Sequence, residues 1–311
     1  STAHSYTALM LGAMLAGVGN SVFHPADYTI LNQRVSAARV AYGFSVHGIS
    51  GNIGWALAPL FMTYVATHYD WRVALQCAAV LPFGVLLVLF LNRHAIRPEP
   101  LKRAAPGAAA SGEGTLDFLR LPAVWMCFAF FFITAIALGG IQSFASVALV
   151  KLYGMSLALA TSAYTAYMLA SAVGMLAGGV VGARSKQPDR NVAIAFSAAA
   201  LLAVLLGMAV VPVWGAVVLM GAIGLTSGVA GPSRDLMIRA AAPKNATGRV
   251  YGVVYSGLDS GLAVGPLFFG ALMDGNHPAL LFVFIGVFQA LAIATAVGVG
   301  GKTRAAALQK A

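Results

Sequence analysis

His24, Pro25 and Asp27 fall within four positions of an otherwise apolar stretch, GVGNSVFHPADYTILNQRVS (17–36). An imidazole titrates near neutral pH, so His24 suits proton exchange, while Asp27, about a turn before the basic loop with Arg34 and Arg39, suits a structural ion pair with an arginine or a proton-linked role. His47 follows, close to Ser45, Asn52 and Trp55. Asp259 sits in the middle of the run YSGLDSGLAVGP, about ten residues from either end, too deep for its carboxylate to snorkel to an interface. An acid there must face a cavity, stay protonated or hold a partner. Gln142 with Ser143, Tyr164 with Tyr167, and Tyr255 add neutral hydrogen-bonding groups on other apolar runs. Hydrolysis within the membrane is a poor fit. GLDSG is not a Gly-x-Gly-Asp pattern, and no Ser/His pair has nucleophile spacing, so the chain is not read as an enzyme. Cys77 and Cys127 lie inside apolar runs and read as small packing residues. No metal and no cofactor is expected.

These groups need a scaffold, and composition says what its solvent is. Hydrophobic residues make up 59% of the chain and charged residues 9%, with a mean hydropathy of +0.83. A soluble domain carries about 25% charged residues. The chain is an all-α integral membrane protein, and its net charge of +10 is a matter of orientation, not of nucleic-acid binding. A bilayer core takes roughly 20 apolar residues per helix. Nine such runs are read, at 6–31, 41–67, 71–92, 122–150, 156–183, 191–211, 213–238, 249–273 and 278–300. Glycine-rich faces such as MLASAVGMLAGGVVGA suit close helix packing, where small residues let backbones approach.

The stretch 93–120 is polar and rich in Pro, Gly and Ala, and reads as a linker between a bundle at 1–92 and a second at 121–301, with a tail at 302–311. If the loops alternate sides, all 19 basic residues except Arg72 and Lys151 fall on one side. That asymmetry places the linker and the C-terminus in the cytoplasm.

The two bundles also share a repeat. Pro25 aligns with Pro232, Gly54 with Gly261, Pro59 with Pro266 and Leu60 with Leu267, all at an offset of 207; Gly43 and Gly48 align with Gly252 and Gly257 at 209. The paired prolines suggest matching bends that could gate a pathway. Gly54-x-x-x-Ala58-Pro59 and Gly261-x-x-x-Gly265-Pro266 suggest close approach between the halves.

With this duplication of halves the chain resembles the major facilitator superfamily along its whole length. GGVVGARSKQPDR (178–190) is similar to that family's cytoplasmic loop motif, carried here by Gly179, Arg184 and Arg190, with Ala183 where an acid is usual. GNIGWALAP (51–59) resembles its antiporter motif, and HYDWRVAL (68–75) its Trp-Arg helix opening. GVGNSVFHPAD is most similar to the fosmidomycin-resistance type of exporter. The resemblance implies a twelve-helix fold of which helices four to twelve are present and the first three are missing from this sequence. It also implies a monomeric secondary transporter of a small organic solute in a bacterial inner membrane, working by alternating access and exchanging solute for protons. Uptake of a small organic anion, or a truncated chain inactive in transport, are the other readings. The candidate substrate and proton groups are then Asp259, His47, His24, Asp27, Asn52, Gln142 and Tyr255.

Overall fold

The computed structural model describes residues 5–97, 116–243 and 246–308. Among these the chain forms ten α-helices, and their ends follow from local chemistry. The first apolar run is divided into α1 (Tyr6–Ser21) and α2 (Phe23–Arg34). The interruption falls at Val22, one turn before Pro25, whose missing N–H leaves the carbonyl of Ser21 without its helical donor. α3 spans Val40–His68 and α4 spans Trp71–Leu91. Residues 98–115 of the expected linker lie outside the described residues, and a short 3₁₀ turn, Asp117–Arg120, leads into the second group. There α5 (Pro122–Tyr153) starts on a proline and stops at Gly154, which takes a left-handed φ of 63°. Ser156 caps α6 (Leu157–Arg184) by accepting from the Leu159 amide at 3.3 Å. α7 (Pro188–Gly207), α8 (Val213–Ala241), α9 (Thr247–Asp274) and α10 (Pro278–Leu308) complete the chain. α10 runs on beyond the expected boundary at 301.

Eight spans, with α1 and α2 counted as one, are long and apolar enough to cross a membrane. α3, at 29 residues, has the length to do so as well. The end of the molecule carrying the 35–39, 185–187 and 242–246 connections is called here the basic end.

Among α5–α10, α6 meets α8, α8 meets α7, α7 meets α10, α10 meets α5 and α5 meets α9. Two of these seams are glycine seams. In one, Gly174 and Gly178 of α6 face the carbonyls of Leu225 and Val229 in α8, while Gly224 and Gly228 of α8 face those of Tyr167 and Ser171 in α6. In the other, Gly257, Gly261 and Gly265 of α9 face the carbonyls of Phe128, Phe132 and Ile136 in α5. Backbones this close gain dispersion and Cα–H···O contacts that a Cβ would forbid. The expectation that Gly261 and Gly265 close one half on the other is therefore corrected: they close α9 on α5, within one bundle. Gly54, their partner in the repeat, has nothing within contact distance of a Cβ.

The first four helices behave differently. They touch the second bundle more than they touch one another, through α3 on α6 and α2 on α9. α1 has no buried residue and α4 only Ala74. On the α3–α6 seam, Gly48 meets Met175, Gly179 meets Ser45, and the Asn52 amide donates to Ser171 Oγ at 3.1 Å. This corrects the expected placement of the 178–190 motif in a loop. Gly179 is buried inside α6 and packs on α3, Arg184 is the last residue of α6, and Arg190 lies in the first turn of α7.

Candidate functional site

A cavity of about 480 Å³ opens between the two groups of helices, within the size range of small-molecule sites. Its wall draws on α2, α3 and each of α5–α10. His24, His47, Asn52, Gln142 and Tyr255, all expected from sequence, line it, joined by Thr134, Ser171, Arg234 and Gln289. Apolar and aromatic side chains such as Phe23, Trp55, Phe131 and Met168 make up much of the remainder.

The cavity ends, towards the basic end, in a polar and aromatic floor. The buried Tyr28 hydroxyl of α2 donates to Asp235 Oδ2 of α8 at 3.0 Å. Arg234 holds the same carboxylate through Nε at 3.0 Å and Nη2 at 3.4 Å, with its guanidinium 4.8 Å over the ring of Phe131. Tyr28 stacks on Tyr251 of α9 with ring centres 4.7 Å apart. The Tyr251 hydroxyl accepts from the Asn32 amide and donates to the Asp235 carbonyl, each at 3.4 Å. Tyr255 lines the cavity and Tyr251, one turn nearer the basic end, does not. Just beyond, a Cβ on Gly248 would stand 2.9 Å from Thr29 Oγ1, and one on Gly252 would stand 3.7 Å from the ring of Pro25. α2 thus lies flat against α9 below the cavity.

Tyr28 and Asp235 are 207 residues apart, the offset that superposes Pro25 on Pro232, so the contact joins equivalent positions of the repeat. The same offset sets Asp27 opposite Arg234 and Asn52 opposite Asp259. Asp235→Ala would strand the Arg234 guanidinium and take from the Tyr28 hydroxyl its charged acceptor, at an expected cost of about 3 kcal/mol. Asp235→Asn keeps an acceptor for Tyr28 and should lose less. Melting of the detergent-solubilised variants ranks the two, and equal melting points would remove the carboxylate from the floor's energetics.

Side by side with the floor, the structure gathers three expected residues that sequence could not join. Asp27 Oδ2 lies 3.6 Å from His24 Nδ1 and 3.3 Å from His47 Nε2. The His24 ring stacks on Tyr255 at 4.3 Å, and Tyr28 meets His47 edge-on at 5.1 Å. Asp259 is placed elsewhere. It lies on the exposed face of α9 with Ser256 and Ser260, does not line the cavity, and among the described residues no ion pair or hydrogen bond reaches it. Pro25 accepts from Thr29 Oγ1 at 2.6 Å, and Pro232 is buried in α8 against Gly178. Pro266 packs on Gly139 of α5. Pro59 lies within α3, its side chain outside the described residues. Tyr28, Asp235 and Gln289 were missing from the sequence-derived site. The repeat offset carried the signal for the first two, since it sets a phenol opposite a carboxylate.

A family model described as Major Facilitator Superfamily matches residues 1–223 and 148–307. The chain is 26% identical over 181 residues to the fosmidomycin resistance protein of Escherichia coli (strain K12), covering 58% of this chain and 44% of that protein. It is 26% identical over 188 residues to the membrane sensor protein UhpC of Salmonella typhimurium (strain LT2), covering 54% of this chain and 41% of that protein. The chain thus spans less than half the length of either relative.

Proposed function

The chain belongs to the major facilitator superfamily, and from that premise we propose that it exports a small organic solute across a bacterial inner membrane in exchange for protons. The observation that carries the reading is the cavity, walled by helices of both repeats and floored by the contact of α2 with α8 and α9. Such a cavity serves alternating access: when the floor parts, the same groups face the opposite compartment. By the distribution of basic residues the floor is on the cytoplasmic side, so the arrangement described is open outward.

The likeness to a protein named for fosmidomycin resistance supports export. Uptake of an organic anion is less well supported, because Arg234, the cation of the cavity wall, is already engaged by Asp235. For proton exchange the acid is Asp259, mid-helix and free of a fixed countercharge among the described residues. Its repeat counterpart is the neutral Asn52.

The test uses reconstituted vesicles with an imposed pH gradient, with fosmidomycin and a panel of neutral and cationic drugs as probes. Solute addition should discharge the gradient in the unmodified protein. Asp259→Asn, which installs the residue of the other repeat, should abolish that discharge while leaving downhill solute exchange in place. Discharge that persists in the variant would strip Asp259 of the role. Absence of any solute flux with every probe would remove the export reading.

A further inference from the structure

We propose that His24, Asp27 and His47 form a three-ligand site for a divalent transition-metal ion of the zinc class, with an open coordination position towards the cavity. The inference goes beyond the transport reading and does not depend on it.

The geometry supplies the first argument. His24 and Asp27, three residues apart on α2, share one helix face, and His47 arrives from α3. One donor atom from each residue lies within 4.8 Å of the other two. The two spacings to Asp27, 3.6 Å and 3.3 Å, bracket the edge of a tetrahedron whose centre-to-ligand bonds are zinc-like. Bonds of about 2.1 Å give edges of about 3.4 Å.

The second argument is the state of the donors. His24 Nδ1 and both carboxylate oxygens of Asp27 are shut off from solvent, yet none has a hydrogen-bond partner. Leaving a shielded carboxylate without donors is costly. The neighbouring groups do not cure it. Arg234 and the Tyr28 hydroxyl both serve Asp235, and Tyr255 offers His24 its ring face. The two histidines approach Asp27 at ion-pair distance, but neither in hydrogen-bond geometry. A cation at the centre of the three donors would satisfy His24 Nδ1 and Asp27 Oδ2 together.

Ligand type selects the ion. Two imidazoles and one carboxylate suit zinc, cobalt or nickel, whereas magnesium and calcium prefer all-oxygen shells. His24 and His47 both line the cavity, so the position left open by three protein ligands faces the solute. The stacking of His24 on Tyr255 and the edge-on packing of Tyr28 on His47 hold the two rings in place.

The test is titration of the purified protein, prepared in detergent without a histidine tag. Zinc binding would be followed by calorimetry and cobalt binding by its visible absorption. One ion per chain is expected, with zinc displacing cobalt and magnesium competing with neither. Asp27→Asn and His47→Gln should each weaken binding by at least about 10-fold without lowering the melting temperature. His277→Ala, in the connection before α10, and Asp259→Asn should bind as the unmodified protein does. The melting temperature of the unmodified protein should rise with zinc and that of His47→Gln should not. No saturable zinc binding, or binding that both ligand variants retain in full, overturns the site. Loss of proton exchange in Asp259→Asn with zinc binding intact would leave this inference standing on its own.

Discussion

Gly228→Val should cost the protein its folded state in detergent, whereas Gly221→Val, two turns earlier on the same helix, should be nearly silent. A Cβ at 228 falls on the carbonyl of Ser171 in α6, an atom that cannot rotate away, while one at 221 meets nothing. Both variants carry the same β-branched penalty in helix propensity, so the comparison isolates the collision. Relief requires α6 and α8 to separate, and their seam is fixed from both sides by four glycines. Overpacking that side chains absorb costs about 1–3 kcal/mol; with backbone as the obstacle, the upper end or beyond is expected. Elution of the purified variants by size, with their melting temperatures, decides the matter. Equal behaviour of the two would mean that the α6–α8 seam is looser than described.

A disulfide between Thr29→Cys and Gly248→Cys should stop turnover altogether and release it on reduction. The positions face one another on α2 and α9, with the added Cβ 2.9 Å from the Thr29 hydroxyl, so little movement is needed to form the bond. It would tie the two repeats at the floor and hold the cavity open on one side only. A Cys77→Ser background removes the half-buried native thiol, while Cys127 is buried and does not compete. Solute flux in vesicles, measured oxidised and then reduced, is the readout. Undiminished flux in fully crosslinked protein would show that α2 and α9 need not part, and the alternating-access reading would fall.

Much of the scaffold was legible because a lipid-exposed helix announces itself in hydropathy. The runs at 71–92 and 156–183 match Trp71–Leu91 and Leu157–Arg184. What failed was direction around the helix axis. Asp259 is correctly mid-span, but depth along a helix says nothing of azimuth. With 100° per residue, Tyr255 and Leu258 turn to the cavity while Ser256, Asp259 and Ser260 turn away. The meeting of His24 and Asp27 with His47 was illegible for a related reason, since it depends on how α2 and α3 are rotated. Pro25 implies a bend in α2, and its effect falls at Val22, because the hydrogen bond it removes belongs to the preceding turn. Pro232, at the matching position, leaves α8 continuous.

The bond from Tyr28 to Asp235 carries a consequence for how such a chain could arise. Equivalent positions of two repeats meet only beside the axis that relates them. In an ancestral pair of identical subunits, a residue at that place would have faced its own copy. Two carboxylates there would repel and two phenols would leave no charged acceptor. With both repeats in one polypeptide the two copies are free to differ, and here the contact is a donor–acceptor pair that only one arrangement of the halves satisfies. A single polypeptide thus lets unlike groups occupy places that strict symmetry would require to be alike.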